Sequence, residues 1–312
     1  MERTDRIYVA GTETLVGKGL LRRLALAGYS NVVGTSSVEP DLTDGASVNA
    51  YFESTKPDYV FLAAGKSGGI GANQKYPADL MLNNLLIQCQ IIRNAQRHRV
   101  RKLLYLASSC SYPRSSPQPM QVRSLMTGPL EATSDAYATA KIAGIKLCQA
   151  YRQQHGADMI SVIPGDVFGP GDDFALEDAH VIAALIARMH QAKIDGARTV
   201  EVWGSGSPRR EFIFVDDVAD AAIFLMQSYS DSTPVNVGNG STTSIKDIAE
   251  LIRKVVGYEG QLRFDPAKPD GMPLKALDSS QLMAMGWRPK VSLQAGLEKT
   301  YCWFVDAKKE AG

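Results

Sequence analysis

The chain lacks the features that tie a protein to nucleic acid, a membrane or an oxidising compartment. Its 34 Lys and Arg nearly balance 33 Asp and Glu, for a formal net charge of +1. No global field therefore attracts a polyanion or an anionic lipid surface. No run of about 20 apolar residues could cross a bilayer, and the apolar stretch before Gly11 is too short for the core of a secretory signal. The four cysteines, at positions 89, 110, 148 and 302, form neither a metal-ligand spacing nor a disulfide framework. That scarcity fits a reducing compartment. The expectations are a cytoplasmic chain with no metal, no nucleic acid and no membrane as partner. With 312 residues and 45% hydrophobic composition, it is long enough for one large domain or two unequal ones.

What is present is an alternation of apolar strands, glycine turns and periodic helices. Ile7–Ala10 reads as a strand, Gly11-Thr-Glu-Thr-Leu-Val-Gly17 as a turn, and the leucines from Leu20 onward as a helix. That order makes a glycine motif credible as a dinucleotide site, with pyrophosphate on the helix N-terminus. Thr14 stands where a central glycine would let the backbone approach phosphate, so its side chain either points away or supplies a hydroxyl. A second strand over 31–35 is followed by Ser36 and Ser37, with neither an acid for a ribose 2′-hydroxyl nor an Arg for a 2′-phosphate. The cofactor is thus NADPH or NADH. Further strands are expected at 57–64, 101–107 and 158–163, the last broken by Pro164, and long helices at 79–96 and 136–153.

The second helix carries Tyr137 and Lys141, four residues apart and so on one face. A cation beside a phenol is expected to lower its pKa, making Tyr137 a proton donor to a carbonyl oxygen. The 101–107 strand runs into Ser108-Ser-Cys-Ser-Tyr-Pro113, which places hydroxyls and a thiol beyond a strand's carboxyl end, where parallel sheets hold ligands. Ser108 either caps a turn or donates to the same oxygen as Tyr137. Cys110 is a small buried hydrophobe or a thiolate base. His180 is a packing residue unless it faces substrate, and Trp203 either fills the core or stacks on a base. Arg188 and Arg210 have the geometry to clamp a diphosphate.

Together these residues resemble the extended short-chain dehydrogenase/reductase family, in its branch of 3,5-epimerase-4-reductases for GDP-4-keto-6-deoxy hexoses. The likeness is carried by Lys66-Ser-Gly-Gly-Ile-Gly-Ala-Asn73, Ser108–Pro113, Tyr137–Cys148, Ser205-Gly-Ser-Pro-Arg-Arg-Glu-Phe212 and Lys268-Pro-Asp-Gly-Met-Pro273. It implies an α/β fold: a Rossmann-type parallel sheet over 1–165, then a smaller, mainly substrate-binding domain over 166–312 with segments returning to the first sheet. It implies Ser108, Cys110, Tyr137, Lys141 and His180 as catalytic residues, with Cys110 and His180 as the acid/base pair of epimerisation. Gly11, Thr14, Leu15, Val16, Gly17, Ser37, Ala63, Lys141, Pro164 and His180 would contact the cofactor. Ser108, Ser109, Asp166, Arg188, Trp203, Arg210, Lys268 and Asp270 would contact a GDP-linked sugar, in a homodimer. The family pattern has arginines at the positions of Glu13 and Ser37, and Asn where Asp166 stands. An epimerase that retains NAD without net reduction is the alternative.

Overall fold

The computed structural model describes residues 1–33, 39–175 and 179–311. Its first half runs β1 (Ile7–Ala10), α1 (Leu15–Leu26), β2 (Val32–Val33), α2 (Gly45–Thr55), β3 (Tyr59–Leu62), α3 (Ile70–Lys75), α4 (Pro77–Arg97), β4 (Lys102–Leu106), α5 (Asp135–His155) and β5 (Met159–Pro164). Every residue of β1, β4 and β5 is buried. Both faces of those strands are covered, which explains why they read as unbroken apolar runs rather than alternating ones. The second half adds β6 (Asp166–Phe168), α6 (Val181–Ile194), β7 (Thr199–Trp203), β8 (Arg209–Arg210), β9 (Phe212–Phe214), α7 (Val215–Ser228), β10 (Val235–Val237), β11 (Thr243–Ser244), α8 (Ile245–Val256), β12 (Gln261–Asp265), β13 (Leu274–Lys275) and a final long helix, Leu293–Ala311.

The main sheet has six parallel strands in the order β10-β5-β4-β3-β1-β2. Because β2 and β3 flank β1 on opposite sides, the order reverses there, and the carboxyl ends beyond that switch form a ligand crevice. One core joins this sheet to α1 and α7, another joins its opposite face to α2, α4 and α5. A third, around Phe168, Ile186, Phe212, Ile248 and Leu297, belongs to the smaller second layer. The chain therefore returns to the first sheet through α7 and β10, and residues Leu282 and Trp287 pack on it again.

One buried cluster fixes the helix that carries Tyr137. The Tyr105 hydroxyl donates to Gln88 Oε1 at 2.7 Å, and Gln88 Nε2 donates to the Ala140 carbonyl at 2.8 Å. Close packing requires Gly144, since a Cβ there would meet Tyr105 Cζ at 2.3 Å. So α4, α5 and β4 are pinned together beside the strand end that holds Ser108.

Three boundaries differ from the sequence reading. Pro164 continues β5 as its last residue, a strand end where the missing N–H is tolerated. The sequence run through Asp178, His180 and Val181 predicts entry into a helix that ends at His190; the helix begins at Val181 and continues to Ile194, and Asp178 lies outside the described residues. Of the second strand only Val32–Val33 is described, and Ser36 and Ser37 lie outside. Among the described residues no helix is long and apolar enough to cross a membrane.

Candidate active site

A cleft of about 400 Å³ runs along the carboxyl ends of the main sheet and continues under the second layer. Its inner end is lined by Thr14, Leu15, Val16, Ala63 and Pro164. Gly11 and Gly17 lie behind these and shape the turn. Gly11 has φ +91, and a Cβ on Gly17 would stand 1.9 Å from the Gly11 carbonyl oxygen. Thr14 points inward: its hydroxyl donates to the Gly11 carbonyl at 2.7 Å and accepts from the Gly17 N–H at 3.0 Å, capping α1. With no acid in its first turn, α1 presents free N–H groups and a positive dipole end to the cleft. The cradle fits a dinucleotide pyrophosphate.

The sequence reading found no acid near the ribose end of the cofactor; the structure places one, Glu39, against the Gly11 turn. Glu39 Oε1 accepts from the Gly11 N–H at 2.6 Å and from the Tyr8 hydroxyl at 3.1 Å. Burial pushes the Glu39 carboxyl above its ordinary range, with those hydrogen bonds opposing. The available signal was its distance from Gly17, close to the 20-residue spacing of ribose-binding acids.

Midway along the cleft stand Ser108, Tyr137 and Lys141. Ser108 plays the capping role as well, accepting from the Cys110 N–H at 3.2 Å. Lys141 is buried, donates to the Leu106 carbonyl at 3.1 Å, and lies 5.9 Å from the Tyr137 ring centroid. The expected lowering of the phenol pKa by this lysine does not occur. Burial raises it, Cys110 and Asp166 add to the rise, and only the Ser108 hydrogen bond opposes. Burial also brings Lys141 down to about 8. Tyr137 is thus held as a neutral phenol, the form that has a proton to give.

Across the cleft, Cys110 and His180 face the same space. His180 is the N-cap residue of α6, and its ring opens into the cleft. Enough protein surrounds it that burial lowers its pKa, with the Asp166 charge opposing. Asp166 does bring a negative charge to the cleft. Lys275 Nζ meets Asp166 Oδ1 at 2.6 Å, and Arg210 Nε lies 3.8 Å from Oδ2. Burial disfavours this charge, yet the two cations outweigh it and hold the carboxyl below its ordinary range. Lys275, absent from the sequence reading, is buried and 3.8 Å from Cys110 Sγ. It comes from β13, far along the chain, and only the pairing of β13 with β8 brings it here.

The outer end holds Arg188, Trp203 and Asp270, with the buried Ser109 on the inner wall. Trp203 is exposed rather than a core residue, and both Arg188 (5.5 Å) and Lys268 (5.1 Å) lie over its ring. Lys268 reaches the cleft only through that stack. Arg210 is not an open clamp: it donates to the carbonyls of Met272 at 2.6 Å and Asp270 at 3.0 Å, besides facing Asp166. Asp270 fastens the turn before β8, accepting from the Ser205 N–H and hydroxyl, each at 2.8 Å. Both residues build the pocket wall.

A third residue missed in the sequence is Asp172. Its Oδ1 accepts from the Asp173 N–H at 2.9 Å, while its buried Oδ2 meets no partner among the described residues. Burial carries this carboxyl from its ordinary 3.8 up to about 7. The folded state therefore binds the proton more tightly than the unfolded chain, and stability falls as pH rises across that interval. Asp172→Asn should raise the melting temperature by about 2–4 °C above neutral pH and match the wild type below about pH 4. Thermal melts at the two pH values check this.

The model of the NAD dependent epimerase/dehydratase family matches residues 7–238. GDP-L-fucose synthase 1 of Arabidopsis thaliana is 51% identical over 97% of this chain and 94% of its own length. GDP-L-fucose synthase of Escherichia coli is 44% identical over 97% of each. Among solved structures, a GDP-mannoheptose C4 reductase from Campylobacter jejuni with NADP bound superposes with a TM-score of 0.87 at 33% identity, covering 98% of this chain and 99% of the other.

Proposed function

The chain belongs to the NAD dependent epimerase/dehydratase family, in its GDP-L-fucose synthase branch, and on that premise we propose that it turns a GDP-4-keto-6-deoxy hexose into GDP-L-fucose or a close analogue. The observation that carries this reading is that one cleft holds both a Ser108/Tyr137/Lys141 set and a Cys110/His180 pair. The first set is suited to reducing a ketone, the second to moving protons on the carbons beside it. The enzyme is NAD(P)H-dependent; the Gly11–Gly17 turn and Lys141 would hold the cofactor, which would supply hydride to C4.

The chain's own residues do the rest. A C4 ketone acidifies C3–H and C5–H, because either carbanion delocalises onto the carbonyl oxygen. Cys110 as thiolate takes the proton from one face and His180 as imidazolium returns one to the other, which inverts the carbon. Ser108 and Tyr137 donate hydrogen bonds to the oxygen that carries the enolate charge. When C4 is reduced, the Tyr137 phenol gives its proton to the same oxygen. Arg188, Lys268 and the Trp203 face suit the diphosphate and base of GDP.

Incubation of the ketosugar in heavy water without reductant tests the epimerase half. Deuterium at C3 and C5 is the expected result; no incorporation at either carbon sinks it. A second reading, a 3,5-epimerase that retains NAD, draws on Glu39, whose carboxylate suits a ribose diol and repels a 2′-phosphate. Glu39→Gln should shift the ratio of kcat/KM for NADPH over NADH upward by about fivefold. An unchanged ratio removes Glu39 from cofactor choice.

The same reading includes a cytoplasmic homodimer. Leu82 and Leu86 are exposed on α4, beside α5, and suit an intersubunit four-helix contact. A monomer in light scattering would reject it.

A further inference from the structure

The cleft holds a half-buried ion pair that neither hydride transfer nor ketone polarisation uses. Lys275 and Asp166 meet at 2.6 Å, and their other neighbours are telling. Lys275 Nζ stands 3.8 Å from Cys110 Sγ, while at His180 the Asp166 charge favours the cation more strongly than the Lys275 charge opposes it. The cation of the pair therefore lies against the thiol and the anion toward the imidazole.

Two protonation patterns with the same number of protons are open to this couple. One is thiol with neutral imidazole, the other thiolate with imidazolium. In water their ordinary pKa values favour the first by about two units. A buried site penalises the second further unless charges of the right sign are supplied. We propose that the Asp166–Lys275 pair is the device that supplies them, biasing proton exchange within the Cys110/His180 couple toward the thiolate–imidazolium pattern that works on substrate. Both are positioning residues: they act through Cys110 and His180 and touch no reacting atom. The inference rests on the proposed role of that couple.

Other charges around it do not duplicate the effect. The Tyr137 phenol faces Cys110 but is neutral. Asp173 acts on His180 from an exposed position, where solvent screens it. Arg210 binds the far side of Asp166 and anchors the pair to the 270–272 loop. Fixed from β6, β8 and β13, the pair keeps its polarity relative to the couple.

Alkylation of Cys110 by iodoacetamide, read by mass spectrometry of its peptide across pH, reports the thiolate without turnover. In Lys275→Met the midpoint should rise by about one pH unit, and in Lys275→Arg it should stay near wild type. Lys275→Met should also slow deuterium entry at C3 and C5 by about tenfold or more, while reduction of a ketosugar already inverted at both carbons changes by less than about threefold. Retained NADPH affinity shows that each variant is folded. An unmoved midpoint in Lys275→Met, or equal losses of exchange and reduction in that variant, overturns the inference. If Cys110→Ser itself leaves exchange intact, the couple's proposed role fails instead.

Discussion

Tyr137→Phe should lower the rate of C4 reduction by about 10²- to 10⁴-fold, the range expected for loss of a positioned general acid. The variant removes one oxygen from the cleft wall and leaves Lys141 held by the Leu106 carbonyl, so cofactor affinity should be nearly unchanged. Burial keeps the wild-type phenol protonated through neutral pH, against the opposing Ser108 hydrogen bond. The loss should therefore appear across the neutral range instead of at one limb of a pH profile. Lys141 behaves differently: its pKa of about 8 means its cation is present at neutral pH and disappears as pH rises through that value. Single-turnover oxidation of NADPH, followed by absorbance, separates the two effects. A Tyr137→Phe enzyme within about threefold of wild type would remove Tyr137 from the proton transfer.

Cys110→Ser should nearly abolish epimerisation, with deuterium entry at C3 and C5 slowed by about 10²-fold or more, because an alcohol is a far weaker base than a thiolate. Reduction of a ketosugar supplied in the inverted configuration should survive. Cys110 lines the cleft from the short helix that begins the Ser108 loop, and the substitution keeps both size and backbone cap. His180→Asn should produce the same split, with one of the two carbons more affected if the two residues serve opposite faces. Parallel loss of exchange and reduction in both variants would mean that the couple builds the pocket without moving protons.

Much of this geometry was legible in the chain because it follows from local rules. The strand, glycine turn and helix at 7–26 needed only spacing and the conformational freedom of Gly11 and Gly17. Tyr137 and Lys141 needed only the helical repeat, and Ser108 and Cys110 only a strand end. What was not legible depends on tertiary pairing. Lys275 reaches Cys110 because β13 pairs with β8, a contact across more than 60 residues of chain. Glu39 bends back to Gly11 from a segment whose sequence has no strand or helix pattern. The pKa of Tyr137 was misjudged because helical spacing reveals a neighbouring cation but not the burial that outweighs it. Arg210 looked like an open phosphate clamp until the carbonyls of Asp270 and Met272 were seen to take its donors.

The most direct test of the whole account is incubation with GDP-4-keto-6-deoxy-mannose and NADPH, followed by product NMR and a count of reductant oxidised. The account predicts GDP-L-fucose, inverted at C3 and C5 and reduced at C4, with one equivalent of reductant consumed per product. An epimerised ketosugar with no reductant oxidised, or a C4-reduced sugar with C3 and C5 unchanged, would contradict it.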